Sequence, residues 1–86
     1  MKLSEQLLNH LKRNNWVHKG ELLKMDWSDN GVSYMPDTVS RELRKLESES
    51  KIEVKPDGNK SIMYRYLYAV ERDTYIPQSK RLKTLL

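Results

Sequence analysis

Pro36-Asp37-Thr38-Val39-Ser40-Arg41-Glu42-Leu43-Arg44-Lys45-Leu46, followed by Ile52-Glu53-Val54-Lys55-Pro56-Asp57-Gly58-Asn59-Lys60, is the stretch whose reading decides the fold. Its first part has a helical period, with Val39, Leu43 and Leu46 on one stripe. At about 100° per residue, turning that stripe inward sends Asp37, Arg41, Arg44, Lys45 and Ser48 outward and leaves Thr38 and Ser40 on the flanks. Pro36 suits the first helical position because its missing N–H would have no intrahelical partner there. Asp37 places a carboxylate in the first turn, where the helix dipole favours it. The helix is expected to end at about Glu47 or Glu49.

The second part has the period of a strand. Ile52-Glu53-Val54-Lys55 alternates, and Ser61 to Leu67 pairs back across Pro56-Asp57-Gly58-Asn59. Proline at the second turn position and glycine at the fourth suit a type I turn followed by a left-handed glycine. On the return strand Ile62, Tyr64 and Tyr66 share one face, and Met63, Arg65 and Leu67 the other.

Upstream, Leu3, Leu7, Leu8 and Leu11 form the stripe of a first helix. Ser4 fits its N-cap, with Leu3 packing on Leu8, and Asn14-Asn15 supplies a left-handed stop. Trp16-Val17 reads as a short extended bridge whose indole belongs in or near the core. A second helix from Lys19 to Met25 or Trp27 is expected to bury Leu22, Leu23 and Met25. Residues 26–35 read as a loop around the turn signal Asn30-Gly31. Beyond Leu67 the pattern is mixed, Pro77 breaks it, and Ser79 suits the cap of a last short helix bearing Leu82, Leu85 and Leu86.

With 86 residues there is chain for one core, and the fold class is α+β. The absence of cysteine removes disulfides, thiolate zinc sites and thiol nucleophiles. His10 and His18 stand eight apart without metal-ligand spacing, so no metal or other cofactor is expected. No glycine-rich phosphate loop, paired carboxylates or nucleophile-with-base pattern is present, and an enzyme is not expected. No apolar run reaches the roughly 20 residues of a membrane span, and the first residues lack a signal peptide's apolar core. A cytoplasmic protein without membrane contact is the expectation.

The net charge is +4, but its placement matters more than its size. Residues 1–35 and residues 36–65 each net +1, while residues 76–86 net +3 through Lys80, Arg81 and Lys83. Overall basicity therefore argues little. What argues for a nucleic-acid partner is the segregation of Arg41, Arg44 and Lys45 from the apolar stripe, beside a hairpin with lysines at its tip.

Helix, short strand, helix, helix and two-stranded hairpin resembles the winged helix-turn-helix fold of bacterial, archaeal and phage transcriptional regulators. Its third helix often carries the Thr38-Val39-Ser40-Arg41-x-Leu43-x-x-Leu46 rhythm found here. The resemblance covers roughly Ser4 to Leu67. It implies a winged-helix domain over 1–67 and a C-terminal extension, a tail or short helix, over 68–86. It also implies that the helix at 36–47 enters the major groove of double-stranded DNA while the wing at 52–67 lies on the backbone. The DNA-contacting side chains would then be Thr38, Ser40, Arg41, Arg44 and Lys45 on the helix and Lys55, Asn59 and Lys60 on the wing. The arginine fork matches guanine edges and phosphate, and lysine offers phosphate a point charge. The role implied is that of a small transcriptional regulator or a phage- or plasmid-type control protein.

The sequence departs from that pattern in one place. About ten residues separate Met25 from Pro36, where the resemblance implies a turn of a few. The near-neutral core, the acids around the helix and the Trp27–Tyr34 segment support an alternative, a protein-interaction winged helix serving as an adaptor in a replication, secretion or transcription assembly. Both readings leave room for a homodimer, through helix one or the tail leucines, and for a protein partner at the 26–35 loop.

Overall fold

The computed structural model describes residues 2–58 and 61–77. The order of its elements is α1 (Leu3–Arg13), β1 (Val17–His18), α2 (Lys19–Lys24), β2 (Ser28–Asp29), β3 (Val32–Ser33), α3 (Pro36–Ser48), β4 (Ile52–Asp57), β5 (Ser61–Tyr66) and α4 (Ala69–Arg72). Among the described residues, four helices accompany a three-stranded antiparallel sheet ordered β1–β5–β4 and the small β2–β3 pair. The chain is α+β, as its periodicities imply.

The core forms where the stripes meet. Leu3, Leu7 and Leu11 of α1, Leu22 of α2, and Val39, Leu43 and Leu46 of α3 close against Val17, Ile52 and Tyr64 of the sheet. Val17 stands opposite Tyr64, and Tyr64 opposite Val54, so all three strands present this set to the helices. The next register, His18, Met63 and Lys55, therefore faces the other way. Covering each of the fully buried leucines Leu7, Leu22, Leu43 and Leu46 removes roughly 1.5–3 kcal/mol worth of apolar surface from water.

Helix α3 ends in a defined way. Ser50 adopts φ +61°, Lys51 N–H donates to the Leu46 carbonyl at 3.0 Å, and Ser50 N–H donates to the Glu47 carbonyl at 3.0 Å. A left-handed residue with these two bonds is a Schellman termination, here built on serine in the place glycine usually takes.

Several local expectations change. Helix α1 starts at Leu3 with Lys2 in the cap position and no side-chain cap, so Ser4 lies inside the first turn. Asn14 is extended at φ −120°, and it ends α1 by turning its Nδ2 onto the His10 carbonyl at 2.9 Å instead of entering the left-handed region. Helix α2 stops at Lys24, leaving Met25 exposed. The ladder of the second hairpin runs past Pro56 to Asp57 opposite Ser61, so Pro56 lies in the strand and not in the turn. That position is tolerated because β4 is an edge strand. Gly58, at φ +76°, keeps the left-handed role expected of it.

Residues 26–35 are not an irregular loop. They form the β2–β3 hairpin, with Ser28 opposite Ser33, Asp29 opposite Val32, and a two-residue turn at Asn30 (φ +54°) and Gly31 (φ +79°). Two left-handed residues in succession make a type I′ turn, whose twist suits a tight hairpin. Trp27, which opens the hairpin, is buried; its indole N–H donates to the Leu22 carbonyl at 2.6 Å and its ring meets His10 edge-on at 5.8 Å. Trp16 lies elsewhere, half-buried on the outer side of the sheet under the Lys55 ammonium at 4.3 Å and near the Arg65 guanidinium at 5.5 Å. Of the two indoles, Trp27 occupies the core.

Residues 68–77 pack onto the domain they follow. Arg65 on β5 bridges Glu53 of β4 at 2.8 Å and Glu71 of α4 at 2.5 Å, and Arg72 reaches the Leu67 carbonyl at 2.8 Å and the Tyr66 hydroxyl at 2.9 Å. Tyr75 donates to Glu47 of α3, and Pro77 is buried. The proposed helix with Leu82, Leu85 and Leu86, and Lys80, Arg81 and Lys83, lie outside the described residues.

Candidate nucleic-acid interface

Helix α3 presents the side chains that the sequence singles out. Val39, Leu43, Leu46 and Glu47 are buried on its inner side. Thr38, Arg41 and Lys45, spaced i, i+3 and i+7, are exposed on the opposite side. Arg44 is exposed on one flank, and Ser40 is half-buried on the same flank. Among the described residues no salt bridge or hydrogen bond engages the cationic side-chain groups of Arg41, Arg44 or Lys45. By contrast, Arg65 and Arg72 of the sheet and α4 are held by carboxylates, a carbonyl and a hydroxyl.

The flank carrying Arg44 continues into a buried polar group. The carboxylate of Glu47, only 7% exposed, accepts the Tyr75 hydroxyl, and the Tyr75 oxygen also accepts the Val54 N–H at 3.4 Å. The Tyr64 phenol is nearby. Burial raises its pKa above 10.0, the positive charge of Arg44 works against that rise, and the negative charge of Glu47 adds to it. Glu71 moves the other way: the hydrogen bond from Arg65 lowers its pKa below 4.5, opposed by burial and helped by the Tyr68 N–H and the charge of Arg65.

The hairpin residues separate. Lys55 is exposed, but on the sheet face opposite the one that meets α3, where it caps the Trp16 ring. The structure therefore does not bring Lys55 together with Arg41 and Lys45. Asn59 and Lys60 lie outside the described residues. Thr38, Ser40, Arg41, Arg44 and Lys45 are brought together by one helix.

Sequence reasoning passed over Glu47 and Tyr75. Glu47 follows Leu43 by four residues, so it falls on the buried stripe, and an acid there signals a buried polar partner. Nothing in the local pattern around Tyr75 names it as that partner.

The β2–β3 hairpin adds a surface of different chemistry next to α3. Residues 26–35 carry Asp26 and Asp29 and no lysine or arginine. Val32 and Met35 are 69% and 70% exposed. Among the described residues no group of three or more metal-ligating side chains is placed to hold a metal ion, and no helix is long and apolar enough to cross a membrane. Compared with protein-family models, with curated proteins and with solved structures, the chain matches none.

Proposed function

We propose that the chain is a duplex DNA-binding module of the winged-helix kind, serving as a small transcriptional regulator or a phage- or plasmid-type control protein. Helix α3 enters the major groove and the β4–β5 hairpin lies on the backbone. The observation that carries this reading is the exposed row Thr38, Arg41 and Lys45, with Arg44 beside it, on a helix whose opposite side is locked into the core. A helix held rigidly by its apolar stripe can present uncommitted cations to phosphate and base edges without first breaking ion pairs. Titration of labelled random-sequence duplexes by fluorescence anisotropy at low salt tests the reading. Binding that weakens steeply as salt rises is expected; no binding to any duplex at low salt would end it.

A second reading has its own observation. The exposed Val32 and Met35, set in an acidic hairpin beside the start of α3, suit a protein and not a polyanion. A winged-helix adaptor would dock a partner there. Chemical-shift mapping with a partner that moved Val32 and Met35, and left Arg41 silent, would replace the first reading with this one.

A further inference from the structure

We propose that residues 68–77 form a strap whose Tyr75 fixes the angle between helix α3 and the β4–β5 hairpin, making Tyr75 a positioning residue for duplex binding. The inference rests on the DNA-binding reading, because α3 and the hairpin are the two elements that must meet one duplex together.

The geometry is that of a clip. The Tyr75 oxygen stands between two elements: it donates to the Glu47 carboxylate in the last turn of α3 and lies 3.4 Å from the Val54 N–H of β4. Glu47 and Tyr75 are 28 residues apart in the chain, so this contact joins parts that no local segment joins. Val54 stands at the centre of the hairpin register, opposite Tyr64. The strap is itself held at two further points. Glu71 is bound by Arg65 at 2.5 Å, and Arg72 by the Leu67 carbonyl and the Tyr66 hydroxyl. Both anchors are on β5 or directly after it, so the strap moves with the hairpin. Tyr75 carries a hydrogen bond from the strap across to α3.

Between α3 and β4 the chain has only Glu49, Ser50 and Lys51. The Schellman bonds fix where the helix ends, and the Lys51 carbonyl accepts the Leu67 N–H at 3.0 Å. These bonds set the corner, while its opening angle is read further out, at Glu47 and Val54. A polar clip there adds a directional contact of defined length to the leucine packing between α3 and the sheet.

Tyr75→Phe keeps the ring and removes the clip. Two measurements test the strap: residual dipolar couplings on the variant, which report the angle between α3 and the hairpin, and duplex binding as a function of salt. The expected result is a changed angle, duplex affinity about tenfold weaker, and a shallower salt slope, as the hairpin's contact with the backbone drops out. A merely structural role would lower thermal stability while leaving the angle and the salt slope of the folded protein as they are, and that outcome overturns the proposal. Glu47→Gln, which still offers an oxygen to the Tyr75 hydroxyl, is expected to retain the wild-type angle and slope. If Glu47→Gln behaves like Tyr75→Phe, the neutral acceptor does not sustain the clip and the proposal fails in this form. If the wild-type protein binds no duplex, the function fails and the dipolar couplings still decide the strap.

Discussion

The indole N–H of Trp27 donates to the carbonyl of Leu22 at 2.6 Å, so the segment joining α2 to α3 begins by capping the helix it leaves. Leu22 is in the last turns of α2, where carbonyls lack intrahelical partners. Trp27 satisfies one of them and fills the core beside His10 with the same side chain. The long connection is therefore a folded part of the domain, anchored at its first aromatic residue. Tyr34 N–H closes its other end onto the Trp27 carbonyl at 2.7 Å. Trp27→Ala is expected to cost about 3–5 kcal/mol. Trp27→Phe is expected to cost about 1–3 kcal/mol, since it leaves the Leu22 carbonyl without its donor. Urea unfolding followed by circular dichroism measures both, and a Trp27→Phe variant as stable as wild type would mean that the hydrogen bond contributes nothing.

The end of α3 predicts a substitution that stabilises. Ser50 is left-handed at φ +61°, a conformation that costs an L-residue about 1–2 kcal/mol and costs glycine almost nothing. Ser50→Gly relieves that strain but gives the unfolded chain more freedom. The net expectation is a gain of about 0.5–1 kcal/mol. Ser50→Val, with a branched side chain in the same backbone well, is expected to lose more than about 1 kcal/mol. A pair of urea midpoints checks the two signs, and the opposite order would refute the termination described above.

Stability at acidic pH should depend on Glu71. Its folded-state pKa lies below 4.5 because Arg65 binds the ionised form. A lowered carboxylate contributes stability that is fully present above its unfolded value and lost as the pH falls through the folded one. Wild-type thermal stability is thus expected to decline as the pH drops below about 4.5. Glu71→Gln is expected to be less stable at neutral pH and to show a shallower acid decline. Tyr64 acts at the alkaline end with the opposite sense. Its burial raises the folded-state pKa, so its contribution is present below 10.0 and is lost as the pH rises beyond it. Melting temperatures across both limbs, with Tyr64→Phe alongside, separate the two groups.

How much of this was legible in the sequence divides along a physical line. The three main helices and the second hairpin came from periodicity, because a stripe that must be buried repeats at the period of its own element. The inner positions Val39, Leu43 and Leu46 followed directly. The β2–β3 hairpin did not, since two-residue strands have no period to read; only Asn30-Gly31 marked it, and that signal fits any turn. Choosing between Trp16 and Trp27 for the core was equally out of reach. Trp16 stands beside the apolar Val17 and Trp27 between Asp26 and Ser28, so neighbours alone favour the wrong indole, and the choice rests on which register of the sheet Trp16 adjoins. Alternation could have separated Lys55 from the α3 cations, because Val54 beside it must face inward. Tyr75 depended on a contact across 28 residues that no local pattern encodes.

That separation makes the sharpest test of the interface. If α3 is the reading element, Arg41→Ala and Arg44→Ala should each weaken duplex binding by about tenfold or more, corresponding to roughly 1–3 kcal/mol. Lys45→Ala should reduce affinity more uniformly across sequences and lower the salt slope by about one. All three side chains are exposed, so folding stability should stay within about 0.5 kcal/mol of wild type. Lys55→Ala should behave differently. It removes the cation above Trp16, a contact worth about 0.5–1 kcal/mol at an exposed site, on the sheet face turned away from α3. Its duplex affinity should therefore remain within about twofold of wild type, while stability falls slightly. Anisotropy titrations at two salt concentrations on these four variants, each paired with a urea midpoint, give the pattern. A Lys55 variant damaged in binding while Arg41→Ala binds as wild type would place the duplex on the outer face of the sheet and remove α3 from the groove.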